Sequence, residues 1–117
     1  MSRRALKPID LSREREIQAD CKQLYESVGC VVVSFSQHRL GSGTHQTPGI
    51  ADLRIYCPRK LSSWWHEVKT PSGEQSADQK EFQRLVQSCG EHYRIGGMEA
   101  AVEQLRAIGL LAVPGRS

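Results

Sequence analysis

The sequence predicts one α/β domain with the element order α-β-β-β-α-β-α, in which a central mixed sheet is flanked by helices. Three segments with helical periodicity alternate with four short segments rich in β-branched and aromatic residues. The chain of 117 residues has the size of a single domain with one core. The late β-α-β step favours a parallel crossover. The predicted core covers residues 12–110 and follows a basic N-terminal segment, residues 1–11.

The composition indicates a globular chain, with 38% hydrophobic and 25% charged residues. Apolar runs such as Val31–Val33 are far shorter than the roughly 20 residues that cross a bilayer. The basic start has no apolar stretch behind it, which argues against a signal peptide. We therefore expect an intracellular protein with no membrane partner.

The four cysteines and four histidines lack the close pairing of zinc ligands. We expect no structural metal, and we expect free thiols that are buried or half-buried. The cysteines are Cys21, Cys30, Cys57 and Cys89.

The first helix is predicted to begin at Ser12, a suitable N-cap, and to end at Gly29. Apolar residues from Ile17 to Val28 recur at helical spacing and form the buried stripe. Glu14 continues this face by one turn, so its carboxylate is expected to point inward at the end of the helix.

Three strands follow, predicted at Cys30–Ser36, Ile50–Cys57 and Ser63–Lys69. The polar, glycine-rich segment Gln37–Gly49 is predicted to be a long loop. The turn Pro58–Ser62 joins the second and third strands, which we expect to form a hairpin.

The C-terminal half is predicted to contain a helix at Ala77–Cys89, a strand at His92–Gly97 and a helix at Met98–Leu110. The apolar residues of the two helices share one face each. Those expected to pack in the core are Phe82, Leu85, Val86, Cys89, Ala101, Val102, Leu105 and Ile108.

The residues that point to chemistry are Glu67 and Lys69, two apart on the third strand. Their side chains project to one face, about 7 Å apart along the strand, while His66 and Val68 face the other way. An antiparallel neighbour can bring Asp52 beside Glu67, and two adjacent carboxylates are a site that Mg²⁺ can stabilise. Lys69 would then lie near a metal-bound water, which it could hold or help to deprotonate. The spacing alone also fits a solvated Glu–Lys pair on the strand surface.

The remaining candidates are less specific. The net charge of +3 permits a nucleic-acid partner without requiring one. Trp64 and Trp65 must face opposite ways, so we expect one in the core and the other covering the sheet, with stacking on a base as the alternative. His38 and His45 in the long loop could contact a nucleic acid or assist catalysis, and the alternative is that they are ordinary surface residues.

Four motifs in order give the sequence a recognisable resemblance, over about residues 12–108. It resembles the VRR-NUC (virus-type replication-repair nuclease) domains of the PD-(D/E)XK nuclease superfamily, in particular the small stand-alone phage and bacterial members. One position departs from the family pattern, since Ala51 stands where proline is usual. The motifs are Glu14 with Ile17-Gln18, Gly49-Ile50-Ala51-Asp52, Glu67-Val68-Lys69, and Ser76 with Gln79.

The resemblance implies a restriction-endonuclease-like core and a site for Mg²⁺ or Mn²⁺. Lys69 would be the catalytic lysine, and Gln79 would orient the site or the phosphate, unless it is only a solvated helix residue. Glu14 would reach the metal from the first helix, unless it only complements the helix dipole. The metal ligands implied are Glu14, Asp52, Glu67 and the Val68 carbonyl, and the residues implied in catalysis are Asp52, Glu67, Lys69 and Gln79.

The function implied is a metal-dependent, structure-selective DNA endonuclease. We expect a cytoplasmic homodimer, in a bacterium or a phage-infected host cell, that cuts branched DNA such as Holliday junctions during repair. The alternatives are a flap or nicking nuclease of replication and repair, and a catalytically silent DNA-binding module on the same fold.

Overall fold

The computed structural model describes residues 8–35 and 47–115 of the chain. Within these ranges three α-helices and four strands follow one another in the predicted order, and a short 3-10 turn at Pro58–Lys60 joins the second and third strands. The elements are α1 (Pro8–Ser27), β1 (Val31–Ser34), β2 (Leu53–Cys57), β3 (Ser62–Val68), α2 (Ala77–Ser88), β4 (His92–Gly96) and α3 (Met98–Ala107).

The four strands form one mixed sheet in the order β1-β2-β3-β4. The pairs β1–β2 and β2–β3 are antiparallel, and the pair β3–β4 is parallel. The predicted hairpin and the predicted parallel crossover are therefore both confirmed. Because the chain passes through α2 between β3 and β4, α2 is carried across one face of the sheet.

The main core lies on the face of the sheet that α1 and α3 cover. Tyr25 and Trp64 are fully buried there, and their rings meet edge to face with centroids 5.7 Å apart. The buried members of this core are Cys21, Tyr25, Cys30, Leu53, Ile55, Cys57, Trp64, Val68, Ala101 and Leu105. Burial of these side chains provides the main favourable free energy of folding.

His66 lies in the same core, facing away from Glu67 as the alternation predicts. Its Nε2 donates to the Gly96 carbonyl at 2.9 Å, so its Nδ1 accepts from the Tyr25 hydroxyl at 2.7 Å. Burial lowers the pKa of His66 and keeps the ring neutral. His66 therefore links β3 to α1 and β4 as a structural residue.

The opposite face of the sheet is covered by α2. The ring of Trp65 meets the ring of Phe82 edge to face, with centroids 5.0 Å apart, and the Arg54 guanidinium lies 4.9 Å from the Trp65 ring centre. Trp65 Nε1 donates to Glu91 at 2.6 Å. The two tryptophans face opposite ways, as predicted, and the structure assigns Trp64 to the core and Trp65 to the cover of the sheet. The Trp65 ring is in contact with protein groups.

The boundaries and faces of some elements differ from the prediction. Helix α1 begins at Pro8, so Ser12 lies inside the helix and is not its N-cap; proline suits the first turn, where its missing N–H has no intrahelical partner. On α2, Phe82 and Val86 are buried, whereas Leu85 and Cys89 are exposed. The other three cysteines are buried free thiols.

Some predicted features lie outside the described residues. These are the basic residues up to Lys7 and most of the long loop, including His38 and His45. In the part of the chain that the structure describes, no helix is both long and apolar enough to cross a membrane.

Candidate functional site

Asp52 and Glu67 meet where β2 begins and β3 ends. Leu53 pairs with His66 in the β2–β3 register, and continuing this register by one residue places Asp52 opposite Glu67. One Asp52 oxygen, Oδ2, accepts a hydrogen bond from the Val68 backbone N–H at 2.7 Å. This bond anchors the Asp52 carboxylate to the neighbouring strand. The fold therefore brings the two acidic residues together, as the sequence predicts.

The chain segment that leads into Asp52, residues 49–51, depends on the glycine at its start, Gly49. Its φ of +77° is a left-handed conformation that favours glycine, and a Cβ at this position would lie 2.2 Å from the Asp78 carbonyl oxygen. The segment therefore packs its backbone directly on the first turn of α2. Ala51, at the position where the resembling family usually has proline, is fully buried.

Glu67 is fully buried, and its two oxygens have different surroundings. Oε1 accepts from the Tyr93 hydroxyl at 2.6 Å and from Gln75 Nε2 at 3.0 Å. Among the described residues, Oε2 has no hydrogen-bond partner. A buried carboxylate oxygen without a donor is costly, so this atom is suited to bind a cation.

Lys69 lies on the same side as Glu67, with Nζ 3.7 Å from Glu67 Oε2, and its side chain is only 14% exposed. The spacing-based prediction that the two side chains share a face is confirmed. The alternative of a solvated surface pair is wrong, because both side chains are enclosed. The Lys69 ammonium is thus the cation beside the Glu67 oxygen that has no hydrogen bond from the described residues.

The electrostatics of Asp52 also favour a cation. Burial raises the pKa of its carboxyl group, and the charge of Glu67 raises it further, while the Val68 N–H and the Lys69 ammonium act in the opposite direction. A divalent cation between the two carboxylates would relieve both effects. The oxygen donors and the unpartnered Oε2 thus fit Mg²⁺ or Mn²⁺.

Tyr93 completes the surroundings of Glu67 from β4. Burial raises the pKa of its phenol, and the hydrogen bond to Glu67 raises it further. The hydroxyl is therefore protonated at neutral pH and acts as a donor to the carboxylate.

The structure leaves the predicted role of Glu14 untested. Glu14 is half-buried on α1. Ile17, one turn later on α1, lies close to Gly97, since its Cγ2 would be 3.3 Å from a Cβ added to that glycine. The Lys69 carbonyl oxygen would be 3.6 Å from the same added Cβ. Helix α1 thus approaches the end of β3. The described residues nevertheless contain no group of three or more His, Cys, Asp or Glu placed to hold a metal ion.

The hydrogen bonds of Gln79 lie at the start of its own helix and leave its predicted role at the site untested. Its Oε1 accepts from the Ser76 backbone N–H at 2.8 Å, and its own N–H donates to Ser76 Oγ at 3.1 Å. The Ser76-x-x-Gln79 motif is therefore a capping box that starts α2. The residue that contacts Glu67 from this region is Gln75, not Gln79.

Sequence reasoning missed Gln75 and Tyr93. Gln75 lies in an irregular connection, where no periodicity indicates its direction. Tyr93 lies on a predicted strand, but only the observed parallel register, in which Glu67 pairs with Ile95, places its hydroxyl at Glu67. The available signal was the predicted β3–β4 crossover, which places residues of β4 beside Glu67 on the side of β3 opposite to β2.

Replacing Asp52 by asparagine is expected to stabilise the metal-free protein. Asparagine keeps an oxygen for the Val68 N–H and removes one of two facing like charges, a change worth about 1 kcal/mol. We expect the melting temperature in EDTA to rise by about 4 °C. Glu16→Gln, an exposed acid-to-amide change in the middle of α1, is the control. A lower melting temperature for Asp52→Asn would show that the charge stabilises the fold.

Comparison with known proteins identifies the class of fold. No family model matches the sequence, and no curated protein matches it. A solved structure described as "VRR_NUC domain" is similar, with a TM-score of 0.61 and 23% identity, over 80% of this chain and 94% of that one. The chain thus has the restriction-endonuclease-like fold of that structure. The resemblance to VRR-NUC domains read from the motifs is confirmed as a likeness of fold.

Proposed function

We propose that the protein is a metal-dependent DNA endonuclease that hydrolyses phosphodiester bonds. The observation that carries the proposal is the environment of Glu67. This carboxylate is fully buried, faces Asp52 and directs an unpartnered oxygen toward the Lys69 ammonium, 3.7 Å away. The Lys69 ammonium offsets part of this charge but is too distant to donate a hydrogen bond to the oxygen, so a bound cation would stabilise the site further.

The proposed ligands of the metal are Asp52, Glu67 and the Val68 carbonyl, with Glu14 supplying a further carboxylate from α1. Bound Mg²⁺ or Mn²⁺ would lower the pKa of water and offset charge on the phosphate. The Val68 N–H holds Asp52 in place, since its bond to Oδ2 fixes the carboxylate against β3.

Lys69 is proposed to hold the attacking water and move its proton. Its Nζ is beside Glu67 Oε2 in a largely enclosed position, where a lysine is a stronger electrostatic partner than in bulk water. For Gln79 we propose an indirect contribution. Its capping box fixes the first turn of α2, against which the approach to Asp52 packs.

The proposed substrate is DNA, and branched DNA in particular. The similar solved structure carries the description of a nuclease-type domain. The net charge of +3 is compatible with recognition of DNA through its shape and phosphate charge. A two-fold homodimer would present two sites to the two-fold arms of a four-way junction. Cytoplasmic action in DNA repair is part of the same proposal.

The test is cleavage of labelled four-way junction, flap, nicked and linear duplex DNA by the full chain. We expect cutting with Mg²⁺ or Mn²⁺, none in EDTA, and faster cutting of the junction than of linear duplex. Cutting that persists in EDTA would overturn the metal-dependent mechanism. A preference for flaps or nicks would favour the replication and repair alternative, and a monomer by gel filtration would remove the paired-cutting argument.

A catalytically silent DNA-binding module is the competing function. Such a module has no need of the metal ligands or the lysine. Here Asp52, Glu67 and Lys69 are retained and brought together, which favours the enzyme. Binding to the junction without cleavage under any metal condition would favour the silent module.

A further inference from the structure

We propose that Tyr93 and Gln75 are positioning residues that fix the orientation of the Glu67 carboxylate, so that one oxygen is held by them and the other faces the metal. The inference rests on the proposed metal site and deepens it. Neither residue belongs to the motifs that predicted the site, and both contact the same atom, Glu67 Oε1.

The two hydrogen bonds make the two carboxylate oxygens of Glu67 inequivalent. The terminal torsion of a glutamate side chain is broad and roughly two-fold, so an unrestrained carboxylate samples many orientations. Donors at 2.6 Å and 3.0 Å on Oε1 hold that oxygen away from Lys69. Oε2 is then fixed on the Lys69 side, with Nζ at 3.7 Å. The carboxylate is thus oriented before any metal binds.

Gln75 is itself locked by a second acceptor. Its Nε2 donates to Glu67 Oε1 at 3.0 Å and to Gln83 Oε1 at 2.9 Å. An amide nitrogen has two hydrogens, and these two bonds use both. Gln83 lies on α2, so the orientation of the amide is set by the helix that covers this face of the sheet.

Tyr93 is held by the sheet and by α2. It lies on β4, directly beside β3, and its ring packs against Phe82 with centroids 6.3 Å apart. The hydroxyl therefore reaches Glu67 from a rigid element. Hydrogen-bond partners of metal-binding carboxylates affect metal affinity by about 10–100-fold when removed. We assign this effect to Tyr93 and Gln75.

The test is calorimetric titration of the folded, metal-free full chain with Mn²⁺. Tyr93→Phe removes only the hydroxyl and should raise the Kd for Mn²⁺ about tenfold. Tyr56→Phe, the same change on an exposed tyrosine of β2, should leave the Kd unchanged. In cleavage assays Tyr93→Phe should raise the Mg²⁺ concentration needed for half-maximal rate, with kcat largely recovered at saturating Mg²⁺.

A purely structural role would instead lower the melting temperature and leave the metal dependence unchanged. Gln75→Leu tests the same inference from a half-buried connection outside the helices and strands, so it is informative even where Tyr93→Phe does not fold. An unchanged Mn²⁺ Kd in the folded variants would overturn the inference and leave the nuclease proposal standing. Wild-type protein that binds Mn²⁺ but cuts no DNA would overturn the nuclease proposal alone. Absence of Mn²⁺ binding by the wild type would overturn both.

Discussion

Replacing Lys69 by alanine is expected to reduce DNA cleavage by about 10³-fold at saturating Mg²⁺, within the range seen when a proton-transfer group is removed. Among the ion pairs of the described residues, the Lys69 ammonium is the cation beside Glu67 Oε2, the oxygen that has no hydrogen bond. The Lys69 side chain is largely enclosed. The loss is expected in kcat, because the lysine acts on the reacting water more than on DNA binding.

Lys69→Arg separates charge from proton transfer. Arginine keeps the positive charge but stays protonated at all working pH values, so it cannot move a proton. We expect Lys69→Arg to remain almost as inactive as Lys69→Ala. Recovery of most of the activity by arginine would show that the position supplies only charge.

Two controls keep the lysine result specific. Lys22→Ala removes an exposed lysine of α1 and should leave the rate unchanged. Glu67→Ala should abolish Mn²⁺ binding, whereas Lys69→Ala should retain it. A Lys69→Ala variant that has lost Mn²⁺ binding would indicate that the lysine is needed for metal binding and not for the reaction itself.

The second large effect is expected on the stability of the fold, from a substitution at Gly49. Gly49→Ala should lower the free energy of unfolding by about 3 kcal/mol, from two contributions. A left-handed backbone costs a residue with a Cβ about 1–2 kcal/mol. Forcing an atom into a packed region costs a further 1–3 kcal/mol or so, and here a Cβ would meet the Asp78 carbonyl oxygen at 2.2 Å.

Gly90→Ala is the matched control for Gly49. Gly90 also has positive φ, +84°, but a Cβ there would meet nothing within 4 Å. We expect it to cost only about 1 kcal/mol. Urea denaturation of both variants measures the difference. Equal losses of stability would mean that the backbone at Gly49 and the first turn of α2 can move apart at no cost in free energy. The position of Asp52 would then not depend on this contact.

The part of the site that could be predicted from sequence is the part built by local alternation. Asp52, Glu67 and Lys69 lie in or beside two adjacent strands, and the two-residue period of a strand decides which side chains share a face. The same rule predicts that Trp64 and Trp65 face opposite ways and that His66 faces away from Glu67. A short turn between the strands then leaves little freedom in their pairing.

The other features could not be predicted, because a short stretch of sequence does not contain the contacts that determine them. The Ser76-x-x-Gln79 spacing fits both a nuclease motif and a capping box, and only the hydrogen bonds identify the second. Leu85 and Cys89 share a predicted helical face with Phe82, yet on α2 only Phe82 and Val86 are buried. The start of α1 at Pro8 was missed because a serine near the apolar stripe resembled a cap.

The sheet order has a consequence for how the site assembles. The bond between Asp52 and Val68 spans 16 residues within a hairpin, whereas the bond between Tyr93 and Glu67 spans 26 residues across a parallel crossover. Closing the longer loop costs more chain entropy, and parallel pairing is the slower kind of contact to form. We therefore expect the facing carboxylates to come together early in folding. The oriented Glu67 exists only after α2 has docked and β4 has joined the sheet, so metal-binding competence should be among the last properties that a refolding chain acquires.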